Sequence, residues 1–451
     1  MTLHLSPGMR VRHPGRPEWG VGQIQSVVAE RVTVNFENAG KLLIIATETV
    51  SNGAAIWGPL SRFARNLGLA LMVGAAAAPV SSPAPAQSVP DQALHQAARS
   101  DDADLAAFAL ERGGDPEVRD QLGNTALQVA AIYGSAAVAA VLLEGGADPA
   151  SATPDDAWTP LHYAAYEGHD RVAQVLAEAD APLEARERDY GNTPLLLAAR
   201  RNKRAVVSVL LAAGADYEAR DRRDGNTALI NAAFDPLATT VVAELLAAGA
   251  EPNTAASDGM TALMAAARAG AEGSLQMLLT SGAVAAAKRR DGWTALHLAA
   301  ARGHTPVFDD LIAAGAAIDQ RAAEGETALG QAIQAGHVDS VIALLEAGAD
   351  IEQPGRSGRP PVVLAAMNGQ ASALYVLLNA GADADAREAE TGNTALMLAA
   401  NRARLEEVRL LLGAGADVDL KAEDGWTALQ AATMIGDDEV AALLREAGAR
   451  E

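Results

Sequence analysis

From about residue 91 onward, apolar positions recur in paired runs with helical spacing. The run "GNTALQVAA" at residue 123 returns as "AWTPLHYAA", "GNTPLLLAA", "GNTALINAA", "GMTALMAAA", "GWTALHLAA", "GETALGQAI", "GRPPVVLAA", "GNTALMLAA" and "GWTALQAAT". Its third residue falls at Thr125, Thr159, Thr193, Thr227, Thr261, Thr294, Thr327, Pro360, Thr394 and Thr427, in steps of 33 or 34 residues. An earlier unit, "DQALHQAARSDDADLAAFALERGGD", sets Leu94 33 residues before Leu127. A fixed period of this size marks stacked supersecondary units. Threonine ahead of an apolar-periodic run is an N-cap, its hydroxyl accepting an orphan backbone N–H. Pro160 and Pro194 then occupy the first helical position, where no N–H is needed. Gly168 or Gly303 ends the first helix, and a second follows with an apolar face such as Val138, Leu142 and Leu143. The strings "GGAD", "AAGAD" and "EAGAD" supply a glycine able to take positive φ. One such helix pair cannot bury its own face, so stacking makes the core continuous.

This pattern resembles the ankyrin repeat, D-x-x-G-x-T-P-L-H-x-A-A-x-x-G-H followed by a second helix and G-A. The resemblance covers residues 91–451, about four-fifths of the chain. It implies a mainly α solenoid of about 11 helix-turn-helix units with β-turn loops. Residues 91–122 form the N-terminal cap unit, 123–424 the regular units and 425–451 the C-terminal cap unit. Four units depart from the pattern. Asp180 stands where a glycine is expected, and aspartate tolerates the left-handed region better than most residues. Pro360 replaces the capping threonine, which predicts a weaker helix start. "NAAFDPLATTVVAELL" lacks Gly-His and rebuilds the turn around Asp235 and Pro236. The loop "DAREAETGNT" is slightly longer than its counterparts.

Residues 1–50 are different material. The runs "RVRH", "GVGQIQSVV", "RVTVNFE" and "KLLII" alternate with period two between Gly, Pro and Asn, which predicts short antiparallel strands. Such a stretch suggests a small five-stranded SH3-like barrel. The words "MRVRHP", "WGVGQIQSV" and "VTVNFENAGK" resemble a small bacterial domain family of unknown function. They are also similar to the Tudor-like module of some DNA helicases and transcription regulators. That resemblance implies protein binding, or contact with polymerase or nucleic acid. Arg10, Arg12 and Arg16, with His13, are candidates for a basic lip beside Trp19; Trp19 and Phe36 read as core.

Charge divides the chain. The first 90 residues carry a net of +3 and the rest −25. An acidic array repels phosphate backbones, so nucleic acid is not expected as its partner and remains open only for the barrel. A basic protein partner is compatible with the acidic surface, as is simple solubility. Cysteine is absent, which removes disulfides, thiolate catalysis and Cys-ligated metals. Aromatics are only 4% of residues. The core must therefore pack Ala, Leu and Val, which suits helix-on-helix contact.

Residues 51–90 join the two parts and contain "SRFARNLGLALMVGAAAAPVSSPAPAQS", residues 61–88. Arg62 and Arg65 precede an apolar run from Leu67 to Val80, and Ala84-Pro85-Ala86 offers a small-x-small cleavage site. The order is that of a secretory signal, and the run is short for a membrane span, which needs about 20 residues. Three readings follow. The true start lies downstream; or the segment, uncleaved, anchors the array outside the inner membrane through residues 61–80; or the whole chain is cytoplasmic and 51–90 is a linker. The first two place the array in the periplasm.

No phosphate loop, dinucleotide fingerprint or nucleophile elbow occurs, so neither enzymatic activity nor a cofactor is expected. His162, His169, His297, His304 and His337 hold the family's own loop-bonding positions, and His95 lies in the cap unit. No carboxylate or second histidine falls at metal-ligand spacing. The resemblance implies instead a groove lined by the loop tips before each threonine and by the ends of the first helices. Those places hold Tyr133, Trp158, Tyr166, Tyr190, Arg200, Arg201, Arg223, Phe234, Arg268, Trp293, Arg302, Arg402 and Trp426. Tyr, Trp and Arg dominate interface energetics. Ring packing against the next unit is the competing role. The expectation is a monomeric array holding an unidentified protein partner.

Overall fold

The computed structural model describes residues 88–450 and, as backbone, four strand segments nearer the N-terminus. The chain divides into two compact units, residues 1–92 with 118–125, and residues 93–117 with 126–451. In the first, β1 (Arg10–Arg12), β2 (Val21–Val28), β3 (Arg31–Phe36) and β4 (Gly40–Ile45) form an antiparallel meander in the order β1-β2-β3-β4. Val34 pairs with both Ile24 and Leu42, and the β2–β3 register shifts between Ile24 and Ser26. A fifth strand, closure into a barrel and the segment 61–86 all lie outside the described residues.

The second unit is a ladder of helix pairs. Typical pairs are Pro160–Glu167 with Asp170–Glu178, and Pro194–Arg200 with Arg204–Ala212. Each first helix packs on the first helix of the next pair, and each second helix on the next second helix. The seam between first helices is made of alanine pairs such as Ala164–Ala165, Ala198–Ala199 and Ala232–Ala233, all fully buried. Small side chains let the axes approach to the close end of the usual 8–10 Å range. Leu161, Leu195, Leu229 and Leu263 follow one face of the first helices, and Leu142, Leu176, Leu210 and Leu245 one face of the second. Each buried leucine contributes about 1.5–3 kcal/mol, so the core is a sum over neighbours without a centre.

The caps follow the sequence. The Thr193, Thr227, Thr261 and Thr327 hydroxyls each accept from the backbone N–H three residues on. Pro360 makes no such bond, although helix Pro361–Asn368 still forms. Asp180 does take positive φ, at +55°. In the Asp235–Pro236 turn, the Asp235 carboxylate accepts from the Leu237 N–H at 2.9 Å, a local bond that orders the turn where Gly-His is missing. Four further residues depart as Asp180 does: Asp101, Ala157, Asn202 and Ala403 sit at φ +53° to +58° where other units have glycine.

The glycines ending the first helices have a second use. A Cβ on Gly270 would lie 2.6 Å from Nδ1 of His304, and one on Gly134 2.7 Å from Nδ1 of His169. The missing side chain is the slot into which the next unit's histidine fits. His169 Nε2 then bonds the Ile132 carbonyl at 3.1 Å, tying the two units together.

Candidate protein-binding face

The loop tips ahead of the threonines are tied down individually and to one another. Three units share the string A-R-[E/D]-x-x-x-G-N-T, at Arg186–Glu187, Arg220–Asp221 and Arg387–Glu388. The Glu187 carboxylate is buried and accepts four hydrogen bonds. They come from the N–H of Asp189 at 2.7 Å, Tyr190 at 2.8 Å and Asn192 at 3.1 Å, and from the Asn192 amide at 3.0 Å. Asp221 accepts from the N–H groups of Asp224 and Gly225. Glu388 accepts from the Thr391 hydroxyl and pairs with Arg359. The arginine beside each acid spans two units. Arg186 donates to the Gly191 and Arg220 carbonyls, Arg220 to Gly225 and Ala255, and Arg387 to Gly392 and Lys421.

Adjacent tips are also joined by single backbone bonds. The N–H of Arg222 donates to Tyr190, that of Ser257 to Asp224 and that of Arg290 to Asp258, at 2.7–2.9 Å. The tips therefore form a row of pre-ordered turns, which lowers the entropy lost when they engage a partner.

The buried histidines serve this row. Thr159 and Thr294 each donate their N–H to Nδ1 of His162 and His297, whose Nε2 atoms reach the Asn192 and Glu326 carbonyls. Those partners require neutral rings with the proton on Nε2. Burial lowers the His297 pKa from its usual value, in keeping with that state. Glu326 is the counterpart in the same neighbourhood. It is buried, its pKa is raised by burial, and its carboxylate fills the space left by Gly330 and Gly355 while accepting from Gln334 at 2.6 Å. Glu167 is likewise raised by burial, against the opposing pull of His169, Lys203 and Arg201. Among the described residues no three His, Cys, Asp or Glu side chains are placed to hold a metal ion.

The thirteen array residues expected to face a partner separate into distinct settings. Trp158 is only 5% exposed, packed 5.0 Å from the Tyr163 ring and 5.4 Å from Tyr166. Arg201 lies 3.9 Å above the Tyr166 ring, which is itself buried. These rings are structural. Trp293 is half-buried at 6.0 Å from His297, whereas Tyr133 and Trp426 are 49% and 40% exposed. Arg302 and Arg402 are exposed. The side chains of Arg10 and Arg12, on β1, and the whole of Arg16, lie outside the described residues.

Five of the thirteen converge. Tyr190, Arg200, Arg223, Phe234 and Arg268 line one cleft of about 570 Å³ that crosses three successive units. Arg223 lies 5.1 Å over the Tyr190 ring and Arg268 5.8 Å over Phe234. Asn192, Asn226, Asn231, Asp224 and Asp258 complete the walls. Sequence reasoning missed these. Asn192 and Asn226 stand within the repeated "GNT" and Asn231 within a helix run, and the aspartates sit at loop positions common along the array, so no residue type singled them out. A second depression, about 640 Å³, lies at Trp426, Leu429 and Met434 in the last unit.

Stacked helix pairs, a tied row of turns and an open cleft across three units define a repeat array built to present a surface. The chain belongs to the ankyrin-repeat family, whose three-copy model matches residues 94–187, 150–221, 180–256, 263–355 and 362–450. Residues 5–50 match a second family, described as a protein of unknown function, DUF3553. No curated protein matches the chain significantly. Ankyrin repeats indicate a protein–protein interaction scaffold, and the family is typically non-enzymatic. Among the described residues no helix is long and apolar enough to cross a membrane.

Proposed function

We propose that this chain is a non-enzymatic scaffold that holds one protein partner along the groove formed by loop tips and first-helix ends, with the array outside the cytoplasm. The observation that carries the reading is the cleft bounded by Tyr190, Arg223, Phe234 and Arg268. It joins aromatic and arginine side chains, the types that anchor interfaces, from hydrogen-bonded turns and from the ends of first helices. Export rests on the charged, apolar and small-residue order of residues 61–86. The strands at the N-terminus fit a small barrel of the SH3 or Tudor type, a separate module with its own contact.

Capture from envelope fractions with a tagged full chain, followed by mass spectrometry, tests the scaffold. A partner retained by wild type and lost in Arg223→Glu/Phe234→Ala supports it, and one retained equally by both removes the groove. Fractionation tests export, and an intact 46 kDa species confined to cytosol rules it out. The match of residues 5–50 to a domain family supports a second reading, in which the segment ahead of the apolar run is a working module. Under it, the barrel contacts the transcription machinery or nucleic acid in the cytoplasm while the array recruits a protein.

A further inference from the structure

The chain carries a net charge of −22, yet three arginines meet, among four aspartates, in the cleft that crosses three units. Ion pairs among the described residues engage Arg204, Arg289, Arg356, Arg359 and Arg409. Arg200, Arg223 and Arg268 take part in none of them. Two of the three rest on aromatic rings, which orient a guanidinium and leave its N–H edge for another acceptor.

Of the four acids of the same cleft, one is paired with an arginine outside it and two hold backbone N–H groups. Asp221 closes its own turn, Asp235 accepts from Leu237, and Asp258 lies 3.2 Å from Arg289. Asp224 is the exposed exception. On the floor, the Asn231 side chain is 6% exposed and its amide nitrogen is buried with no hydrogen-bond partner. A buried donor without an acceptor is costly and is satisfied when an oxygen reaches it. Burial, and then the nearby Arg302 and Arg289, disfavour the charge on Arg268 against the pull of Asp258, and a negative charge brought from outside favours it.

We propose that this cleft binds an acidic stretch of the partner protein, with Glu or Asp carboxylates meeting Arg200, Arg223 and Arg268 and the intervening side chains packing on Tyr190 and Phe234. This rests on the reading that the groove takes a protein, and it fixes the chemistry of what enters. It also runs against the chain's overall charge, which points to a basic partner. The aspartates in the walls favour singly charged carboxylates over a phosphate dianion, because repulsion from a fixed negative neighbour doubles with the ligand's charge. A volume of about 570 Å³ lies inside the roughly 300–1,000 Å³ span of ligand sites, room for a few side chains rather than a helix.

The test is selection of random twelve-residue peptides displayed on phage against the immobilised full chain. The expected result is enrichment of sequences bearing two or more Glu or Asp, abolished in Arg200→Gln/Arg223→Gln/Arg268→Gln and kept in Arg409→Gln, a distant control. Circular dichroism melts establish that the triple variant is folded. The enriched peptide, labelled with fluorescein, should lose on the order of tenfold in affinity for each arginine removed, and more when its own Glu residues become Gln. A phosphoserine version that binds tighter than the Glu version overturns the preference for carboxylates. Enrichment of basic or neutral sequences overturns the proposal and leaves the groove standing. Failure to enrich any peptide, with the chain folded, removes the groove and the proposal together.

Discussion

Glu187 is the position where loop order and partner binding are most directly joined. Replacing it with alanine strips four acceptor contacts from a carboxylate only 1% exposed. Each hydrogen bond to a charged group is worth about 1.5–3 kcal/mol, and a buried donor left unsatisfied costs about 1–3 kcal/mol. Water entering the exposed side of the loop recovers part of this, so a net loss of about 3 kcal/mol is expected. Glutamine is the informative partner variant. Three of the four bonds go to Oε1, which the amide retains, and only the 2.7 Å bond from Asp189 to Oε2 is lost. Its cost should be about 1–1.5 kcal/mol. In a repeat array the damage is local, so a global melt dilutes it. Hydrogen exchange by mass spectrometry over residues 182–200 isolates it. The amides of Asp189, Tyr190 and Asn192 should exchange about 100-fold faster in Glu187→Ala and about tenfold faster in Glu187→Gln, since 1.4 kcal/mol is a factor of ten. Because Tyr190 lines the cleft, peptide affinity should fall in the same order. Wild-type exchange at those amides in Glu187→Ala would refute the claim that this carboxylate builds the loop.

Gly270→Ala should destabilise by more than about 1 kcal/mol, since φ is +68° and the new Cβ meets the His304 ring. The unfolding midpoint in urea reads this, and His304→Ala in the same chain should recover only the part due to the clash. Ala403→Gly should stabilise by about 0.5–1 kcal/mol, because a non-glycine residue there holds φ +54°. A lowered melting temperature would count against it. For Glu326, burial raises the folded-state pKa above its usual 4.5, so the folded chain holds a proton that the unfolded chain has released. Its contribution to stability therefore falls as pH rises from about 4.5 through the raised value. Glu326→Gln should raise the melting temperature at pH 7.5 and flatten the difference between pH 4.5 and 7.5, and an unchanged difference would show that the carboxyl is not desolvated.

What the sequence made legible was whatever local chemistry decides. Threonine caps, glycines at positive φ and the 33–34-residue period depend on a few neighbouring residues, and they stand where the strings placed them. Ring exposure does not behave that way. Trp158, Trp293 and Trp426 occupy the same place in their units, yet they are buried, half-buried and exposed. The difference lies four and seven residues past the threonine. Tyr163 and Tyr166 cover Trp158, whereas the equivalent places hold Leu298 and Ala301, then Ala431 and Met434. That signal was present in the sequence and needed only the helix geometry to be read. The convergence of Tyr190, Arg200, Arg223, Phe234 and Arg268 is less accessible. It combines residues three before Thr193 and four before Thr227 with residues seven after Thr193, Thr227 and Thr261, so it depends on how tightly successive units stack.

The acidity of the array has a structural source that alters what it says about partners. Carboxylates of one unit accept from backbone N–H groups past the second helix of the next: Glu184 from Asp216, Glu218 from Glu251, Asp319 from Asp350, Glu352 from Asp383 and Asp385 from Asp417, at 2.7–2.9 Å. Asn253 does the same for Val284 at 2.9 Å. An amide oxygen therefore suffices, and the negative charge is incidental to the contact. Glu184→Gln/Glu218→Gln/Glu352→Gln should keep the ladder and the melting temperature while reducing the net charge. If the surplus charge recruited a basic partner, capture would weaken. If the arginine cleft recruits an acidic one, on-rates should rise, most clearly at low ionic strength, where steering reaches farthest. Stopped-flow association at two salt concentrations separates these outcomes. A slower on-rate in the triple variant would return the acidic surface to a direct role in recognition.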